Sequence, residues 1–129
     1  MGDMLTGRAA LITGSTSGIG AAFAHALANE GAAIMLNGFG DADEIETLRA
    51  AITDEHGVTV LYNDADMTKP DEIRAMVADA TVRLGKVDIL LNNAGLQHRD
   101  MVDDFPEDKW DALFAVNVKA PFIATQAVL

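Results

Sequence analysis

The octet Thr13-Gly14-Ser15-Thr16-Ser17-Gly18-Ile19-Gly20 stands between an apolar run, Ala9-Ala10-Leu11-Ile12, and a helical pattern that carries Phe23, Ala26 and Leu27 on one face and ends at Gly31. The order is strand, glycine turn, helix. A turn of this kind brings backbone N–H groups and the positive end of a helix dipole to the carboxyl edge of a sheet, a place suited to a diphosphate. Gly14 permits a strand exit that other residues resist. Gly18 leaves a phosphate's approach unobstructed, and Gly20 lets the helix lie close on the strand. An ordinary Ser/Gly loop is the alternative; the strand before it and the helix after it weigh against that.

Outward from the octet, strands and helices alternate. Arg8 to Thr13 is the first strand, apolar on both faces as in a parallel sheet covered on both sides. Ala32 to Asn37 is the second, followed by the loop Gly38-Phe39-Gly40. Asp41 is placed to cap a helix with Asp43 and Glu44 in its first turn, where the dipole favours acids. Ile45, Leu48 and Ile52 fall on one face of that helix, and His56 and Gly57 close it. Val58 to Tyr62 is the third strand. Thr68 starts a third helix in a capping-box pattern with Asp71, Pro70 lying near its first position. Its buried stripe is Ile73, Met76, Val77, Ala80 and Leu84. Val87 to Leu91 is the fourth strand. Pro106 or Glu107 opens a last helical stretch with Trp110, Leu113, Phe114 and Val118 on one side, divided by Pro121. This alternation implies an α/β fold, a doubly wound parallel sheet with right-handed crossovers and strand order 3-2-1-4. Length fits one domain spanning residues 1–129.

Asn92-Asn93-Ala94-Gly95 is a second anchor. In that strand order it stands beside the end of the first strand, at the topological switch point where ligands bind. Adjacent asparagines can tie the two strand ends together, although Asn and Gly also favour plain turns. The two anchors, with Asn117 further on, resemble the short-chain dehydrogenase/reductase family along the whole chain. That resemblance implies that Asn93, Ala94 and Gly95 lie beside a nicotinamide ribose. It implies that Asp66 and Met67 flank an adenine, and that Asn117 belongs to a catalytic tetrad with Ser, Tyr and Lys. It implies a diphosphate on Gly14, Thr16, Ser17, Gly18, Ile19 and Gly20. Asp66 also suits a helix-entry turn. Asn117 also reads as a tolerated helix Asn, unfavourable by about 0.5 kcal/mol against Ala.

Three stretches resemble the D-3-hydroxybutyrate dehydrogenases of that family: Leu36-Asn37-Gly38-Phe39-Gly40-Asp41, Asn93-Ala94-Gly95-Leu96-Gln97-His98, and Asp104-Phe105-Pro106-Glu107-Asp108-Lys109-Trp110-Asp111. The likeness implies that Gln97 helps to hold a substrate carboxylate. The second strand ends in Asn37-Gly38-Phe39-Gly40, without the acid that commonly binds ribose hydroxyls and without a Lys or Arg for a 2′-phosphate. The missing base argues against NADP more than the missing acid argues against NAD. With Phe39 packing on the adenosine, NAD is the expected cofactor.

Composition sets the outer bounds. The net charge of −11 repels phosphate backbones, so nucleic acid is not an expected partner. With no cysteine there is no disulfide framework or thiolate metal site. No apolar run reaches transmembrane length and no secretory signal opens the chain, so no membrane is expected and a soluble cytoplasmic protein is the default. His25 and His56 show no ligand-like spacing, so no metal site is expected, and His98 is expected to face solvent. Family members are roughly twice this length, and their Ser and Tyr-x-x-x-Lys lie beyond the position of Leu129. The only tyrosine is Tyr62, with no Lys at the right spacing. The fourth strand is thereby expected to be an open edge, and the last helices to expose surface buried elsewhere in the complete protein or in a subunit interface. Three functions stay open. One is the amino-terminal part of an NAD-dependent dehydrogenase with a small-molecule substrate. Another is a catalytically inactive nucleotide-binding or assembly fragment, as a homo-oligomer or with a complementing fragment. The third is another carbonyl reductase of the same family.

Overall fold

The computed structural model describes residues 2–129. Four strands form one parallel sheet: β1 (Ala9–Ile12), β2 (Ala33–Asn37), β3 (Val60–Asn63) and β4 (Ile89–Leu91). Their order is β3-β2-β1-β4, as expected from the sequence. Ala10 lies opposite Ile34 on one side and Ile89 on the other, and Ile12 lies opposite Leu36 and Leu91. The strands alternate with α1 (Gly18–Asn29), α2 (Ala42–His56) and α3 (Pro70–Leu84); beyond β4 come α4 (Glu107–Phe114) and α5 (Ala120–Val128).

Strand periodicity divides the core into two layers. Ala10, Ile12, Ile34, Leu36 and Val60 face α1 and α2, meeting Ala24, Ala28 and Ile52. Leu11 and Met35 face the other way, onto Ile73, Met76, Val77 and Ala80 of α3 and Ala120, Ile123 and Ala124 of α5. All four residues of β1 are buried. This is why the strand reads as a continuous apolar run rather than an alternating one.

The helix starts follow the expected capping at α2 but not at α3. Asp41 Oδ1 accepts from the N–H groups of Asp43 and Glu44, as its position suggested. Thr68, in contrast, does not cap α3. The residue before that helix is Lys69, with no side-chain cap. Thr68 instead donates its hydroxyl and its N–H to Asp66 Oδ1, at 2.7 and 2.9 Å. Asp66 therefore organises the entry turn, and Pro70, lacking an N–H, opens the helix at no hydrogen-bonding cost. The buried face of α1 is also not the expected one. Gly20, Ala24 and Ala28 are buried, whereas Phe23 is 42% exposed. Small residues at four-residue spacing let the helix approach the sheet, leaving the large ring outside.

Pro121 does not cut the last helix in two. Residues Ala115–Lys119 wind as a π-helix that runs without a break into α5. A proline ring collides with the carbonyl four residues earlier, and a wider turn relieves the collision. Trp110, Phe114, Val118 and Phe122 are all about half exposed or more, in keeping with the expected uncovered face. Among the described residues strand β4 pairs only with β1.

The amino ends of β1 and β4 are clasped by Asp88. Its Oδ2 accepts from the Ala9 N–H at 2.8 Å, and its own N–H donates to the Ala9 carbonyl. The Ala9 N–H, then Lys86 and Arg8, hold the Asp88 carboxyl below its ordinary range. A carboxyl lowered on folding stabilises the protein at pH above the unfolded value, about 4, and that stability disappears as pH falls through the lower folded value. Asp88→Asn is therefore expected to reduce Tm at pH 7 and to flatten the fall of Tm between pH 4 and pH 2, as read by melts of both proteins across that range.

Candidate functional site

The carboxyl ends of β1, β2 and β4 open onto a cleft of about 370 Å³. Its walls include Gly14, Thr16, Ser17, Phe39, Asp66, Met67, Asn93, Ala94 and Gly95, all anticipated from the sequence. Gly18, Ile19 and Gly20 do not line it. Gly18 and Gly20 shape the turn, and Ile19 is 72% exposed at the start of α1. Gln97 is exposed, beyond the walls.

A buried polar lattice fixes this rim. Thr13 Oγ1 accepts from the N–H groups of Asn93 and Ala94, both at 3.0 Å. Asn93 Nδ2 returns to the carbonyls of Thr13 and Gly14, at 3.2 and 3.0 Å. Asn93 thus ties the two strand ends together. Asn92 does not share this work; its amide reaches Thr125 Oγ1 on α5. Gly14 takes φ +62°, and a Cβ there would stand 2.8 Å from Ala94 Cα.

Two residues that sequence reasoning passed over complete the lattice. Asn37 is 1% exposed. Its Oδ1 accepts from the Gly14 N–H at 3.1 Å, and its Nδ2 donates to the carbonyls of Asn63 and Ala65. Ser15, fully buried, donates its N–H to the Asn37 carbonyl and its hydroxyl to the Ile12 carbonyl. A signal was present: an amide ending an otherwise apolar buried strand needs partners for every polar atom. On the outer rim Thr16 Oγ1 donates to the Phe39 carbonyl at 2.9 Å, and the Tyr62 hydroxyl donates to the Gly38 carbonyl. Burial, then the nearby Asp64, pushes the Tyr62 phenol above its ordinary value, so it stays a neutral donor at neutral pH.

The cleft's electrostatics favour an anion at one place. The amino end of α1 has no side-chain cap and no acid in its first turn, whereas α2, α3 and α4 each carry two acids there. The first N–H groups of a helix have no intrahelical partner, and here Ser17 at the cap lines the cleft. A Cβ at Gly18 would meet nothing within 4 Å, so the approach is open. Among the described residues the only charged wall residue is Asp66. The Thr68 N–H, then its hydroxyl, keeps the Asp66 carboxyl below its ordinary range.

Asn117 sits within the π-helical segment. Its Oδ1 accepts from the Leu96 N–H and its Nδ2 donates to the Leu96 carbonyl, both at 2.9 Å. Both polar ends of the side chain thus hold the loop after β4. Asn117→Ala is expected to reduce stability by only about 1–2 kcal/mol while exposing the Leu96 amide to hydrogen exchange at least about tenfold faster, measured residue by residue by NMR. His98 is not directed to solvent; its ring packs edge-on against Phe105 at 5.3 Å. His25 and His56, far apart in the sequence, stand 3.2 Å apart in the fold, which removes the ground on which a metal site was discounted. Among the described residues no helix is long and apolar enough to cross a membrane.

Comparison with known proteins matches residues 8–129 to the short chain dehydrogenase family. A D-beta-hydroxybutyrate dehydrogenase of Rhizobium meliloti is 50% identical over 115 residues, 89% of this chain and 45% of that protein. Another of the same name from Cupriavidus necator is 48% identical over 126 residues, 98% of this chain and 48% of that protein. The chain thus spans about half the length of the curated relatives it matches. Among solved structures, a short chain dehydrogenase from Burkholderia cenocepacia in complex with NADP superposes with TM-score 0.92 at 36% identity, covering 97% of this chain and 51% of that one.

Proposed function

The chain belongs to the short chain dehydrogenase family, and from that membership we propose that it is the cofactor-binding part of an NAD-dependent oxidoreductase acting on 3-hydroxybutyrate and acetoacetate. The observation that carries this is the uncapped, acid-free amino end of α1 opening onto the glycine-lined cleft. In this reading the turn from Gly14 to Gly20 and the first N–H groups of α1 hold the diphosphate. Phe39, 68% exposed on the cleft rim, packs against the adenosine, with Asp66 and Met67 beside the adenine. Asn93, Ala94 and Gly95 lie along the nicotinamide ribose, and Gln97 meets the substrate carboxylate. The nicotinamide, when bound, supplies the hydride acceptor or donor. Asn117 acts as a positioning residue, since its side chain holds Leu96.

NAD is favoured over NADP because, among the described residues, no Lys or Arg lines the cleft. A 2′-phosphate would find no cation there. The NADP held by the Burkholderia relative makes this a preference to measure directly.

The substrate assignment draws on the two hydroxybutyrate dehydrogenase relatives. Proton transfer in this reading comes from residues outside 1–129, because the only tyrosine, Tyr62, has its hydroxyl bound to the Gly38 carbonyl. That bond also favours a second reading, in which this polypeptide alone binds nucleotide or assembles without turnover. The exposed Trp110, Phe114, Val118 and Phe122 then form the surface met by a second copy or a complementing segment. Turnover separates the two. NADH formation from NAD and D-3-hydroxybutyrate is expected to be absent for this chain alone. It is expected to appear for the product of a coding sequence read on past Leu129 into a Ser and a Tyr-x-x-x-Lys. Turnover by this chain alone would contradict the assignment of proton transfer. A coding sequence that stops, or an extended product inert toward D-3-hydroxybutyrate, would contradict the dehydrogenase reading.

A further inference from the structure

A cluster of titratable groups lies apart from the cleft, where α1 packs on the last turn of α2. His25 Nδ1 stands 3.2 Å from His56 Nε2, with the rings edge to face. Glu55 Oε2 lies 3.7 Å from the first nitrogen and 3.8 Å from the second. One ligand atom from each residue falls within 4.8 Å of the others. None of the three lines the cleft.

We infer that His25, Glu55 and His56 form a binding site for a divalent transition-metal ion of the zinc type, joining the middle of α1 to the carboxyl end of α2. A tetrahedral ion about 2.0–2.1 Å from two imidazole nitrogens holds them about 3.3–3.4 Å apart. The nitrogens already stand at 3.2 Å. The same geometry asks for about 3.4 Å between each nitrogen and the carboxylate oxygen, so Glu55 has to close by a few tenths of an ångström. Its side chain is 64% exposed and has the freedom to do so, whereas His56, 7% exposed, is already held in place. Two imidazoles with one carboxylate suit zinc, cobalt, nickel or copper, while magnesium and calcium take oxygen ligands. Three protein ligands leave a fourth position to water. Sequence spacing hides the site because 31 residues separate the two histidines.

The test is calorimetric titration of tag-free purified protein with zinc chloride, repeated with magnesium chloride. Cobalt(II) serves as a second probe, since a tetrahedral site gives it intense visible absorption. The variants are His25→Ala and Glu55→Gln, because neither residue is buried and neither change opens a core cavity. The expected result is one saturable zinc site and an absorbing cobalt complex. Affinity should fall at least about tenfold in His25→Ala and less in Glu55→Gln. A zinc-dependent rise in Tm should be present in the native protein and lost in His25→Ala. Zinc binding that is unsaturable, or unchanged in His25→Ala, or matched by magnesium, would overturn the site.

Discussion

Asn37→Ala is expected to destabilise the protein by about 3–5 kcal/mol, because it strands several buried polar groups at once. The Gly14 N–H loses its acceptor, and the carbonyls of Asn63 and Ala65 lose their donor. Each unsatisfied buried group costs about 1–3 kcal/mol, and the cavity adds to that. The damage is not confined to stability. The Gly14 N–H leads the glycine turn, so its release also loosens the rim of the cleft. Asn37→Asp makes the informative comparison. It keeps an acceptor for Gly14 but sets a carboxylate against two carbonyl oxygens at a site 1% exposed. It is therefore expected to be no better than Ala. An acid at the end of the second strand normally recognises ribose hydroxyls; here that end of β2 is already engaged in holding two connections, the glycine turn and the segment after β3. Urea unfolding of the two variants, with nucleotide titration of whatever remains folded, checks both parts.

Gly20→Ala should lower stability by about 2–4 kcal/mol and remove nucleotide binding. Helix propensity alone points the opposite way, favouring Ala by about 1 kcal/mol. Packing decides the sign. A Cβ at Gly20 would stand 2.3 Å from the Gly14 carbonyl oxygen, 2.5 Å from Asn93 Nδ2 and 2.8 Å from Ser15 Cα. Two of those atoms belong to the backbone of the turn, and the third makes the tie between β1 and β4. Relief requires α1 to move away from the sheet, which carries its free N–H groups away from the cleft. Gly18→Ala is the control. Its φ of +56° disfavours a side chain, yet its Cβ meets nothing within 4 Å, so a loss of about 1–2 kcal/mol is expected. Equal losses at the two positions would show that backbone strain, rather than close approach, sets the requirement at Gly20.

What the sequence disclosed and what it concealed have a common physical basis. β1 and β2 are buried on both faces and announced themselves as apolar runs between turn residues, and the alternation of strands with helices implied the order β3-β2-β1-β4. The α3 stripe was legible because Ile73, Met76, Val77 and Ala80 repeat at helical spacing. The glycine turn was legible because three glycines serve one backbone path. Contacts between distant segments were not. Asn37 looked like a plain strand end and Ser15 like a turn residue, because the bonds between them and to Asn63 and Ala65 join segments distant in the sequence. The approach of His25 to His56 depends on how α1 lies against α2, which follows from the small residues Gly20, Ala24 and Ala28 rather than from the larger Phe23. The π-helical segment was hidden because Pro121 signals a disturbed helix without saying whether the chain breaks or winds wider. Asp66 reads first as an adenine neighbour and second as a helix-entry residue; it lines the cleft and holds the entry turn through Thr68.

The central claim is that the uncapped start of α1, the glycine turn and the rim around Phe39 and Asp66 form a dinucleotide site that prefers NAD. Calorimetric titration of the purified chain with NAD, repeated with NADP, tests it most directly. The account predicts one saturable site for NAD, with NADP at least about tenfold weaker, a difference of about 1.4 kcal/mol. A cooperatively melting chain that gives no saturable heat with NAD, or that binds NADP more tightly, would contradict it.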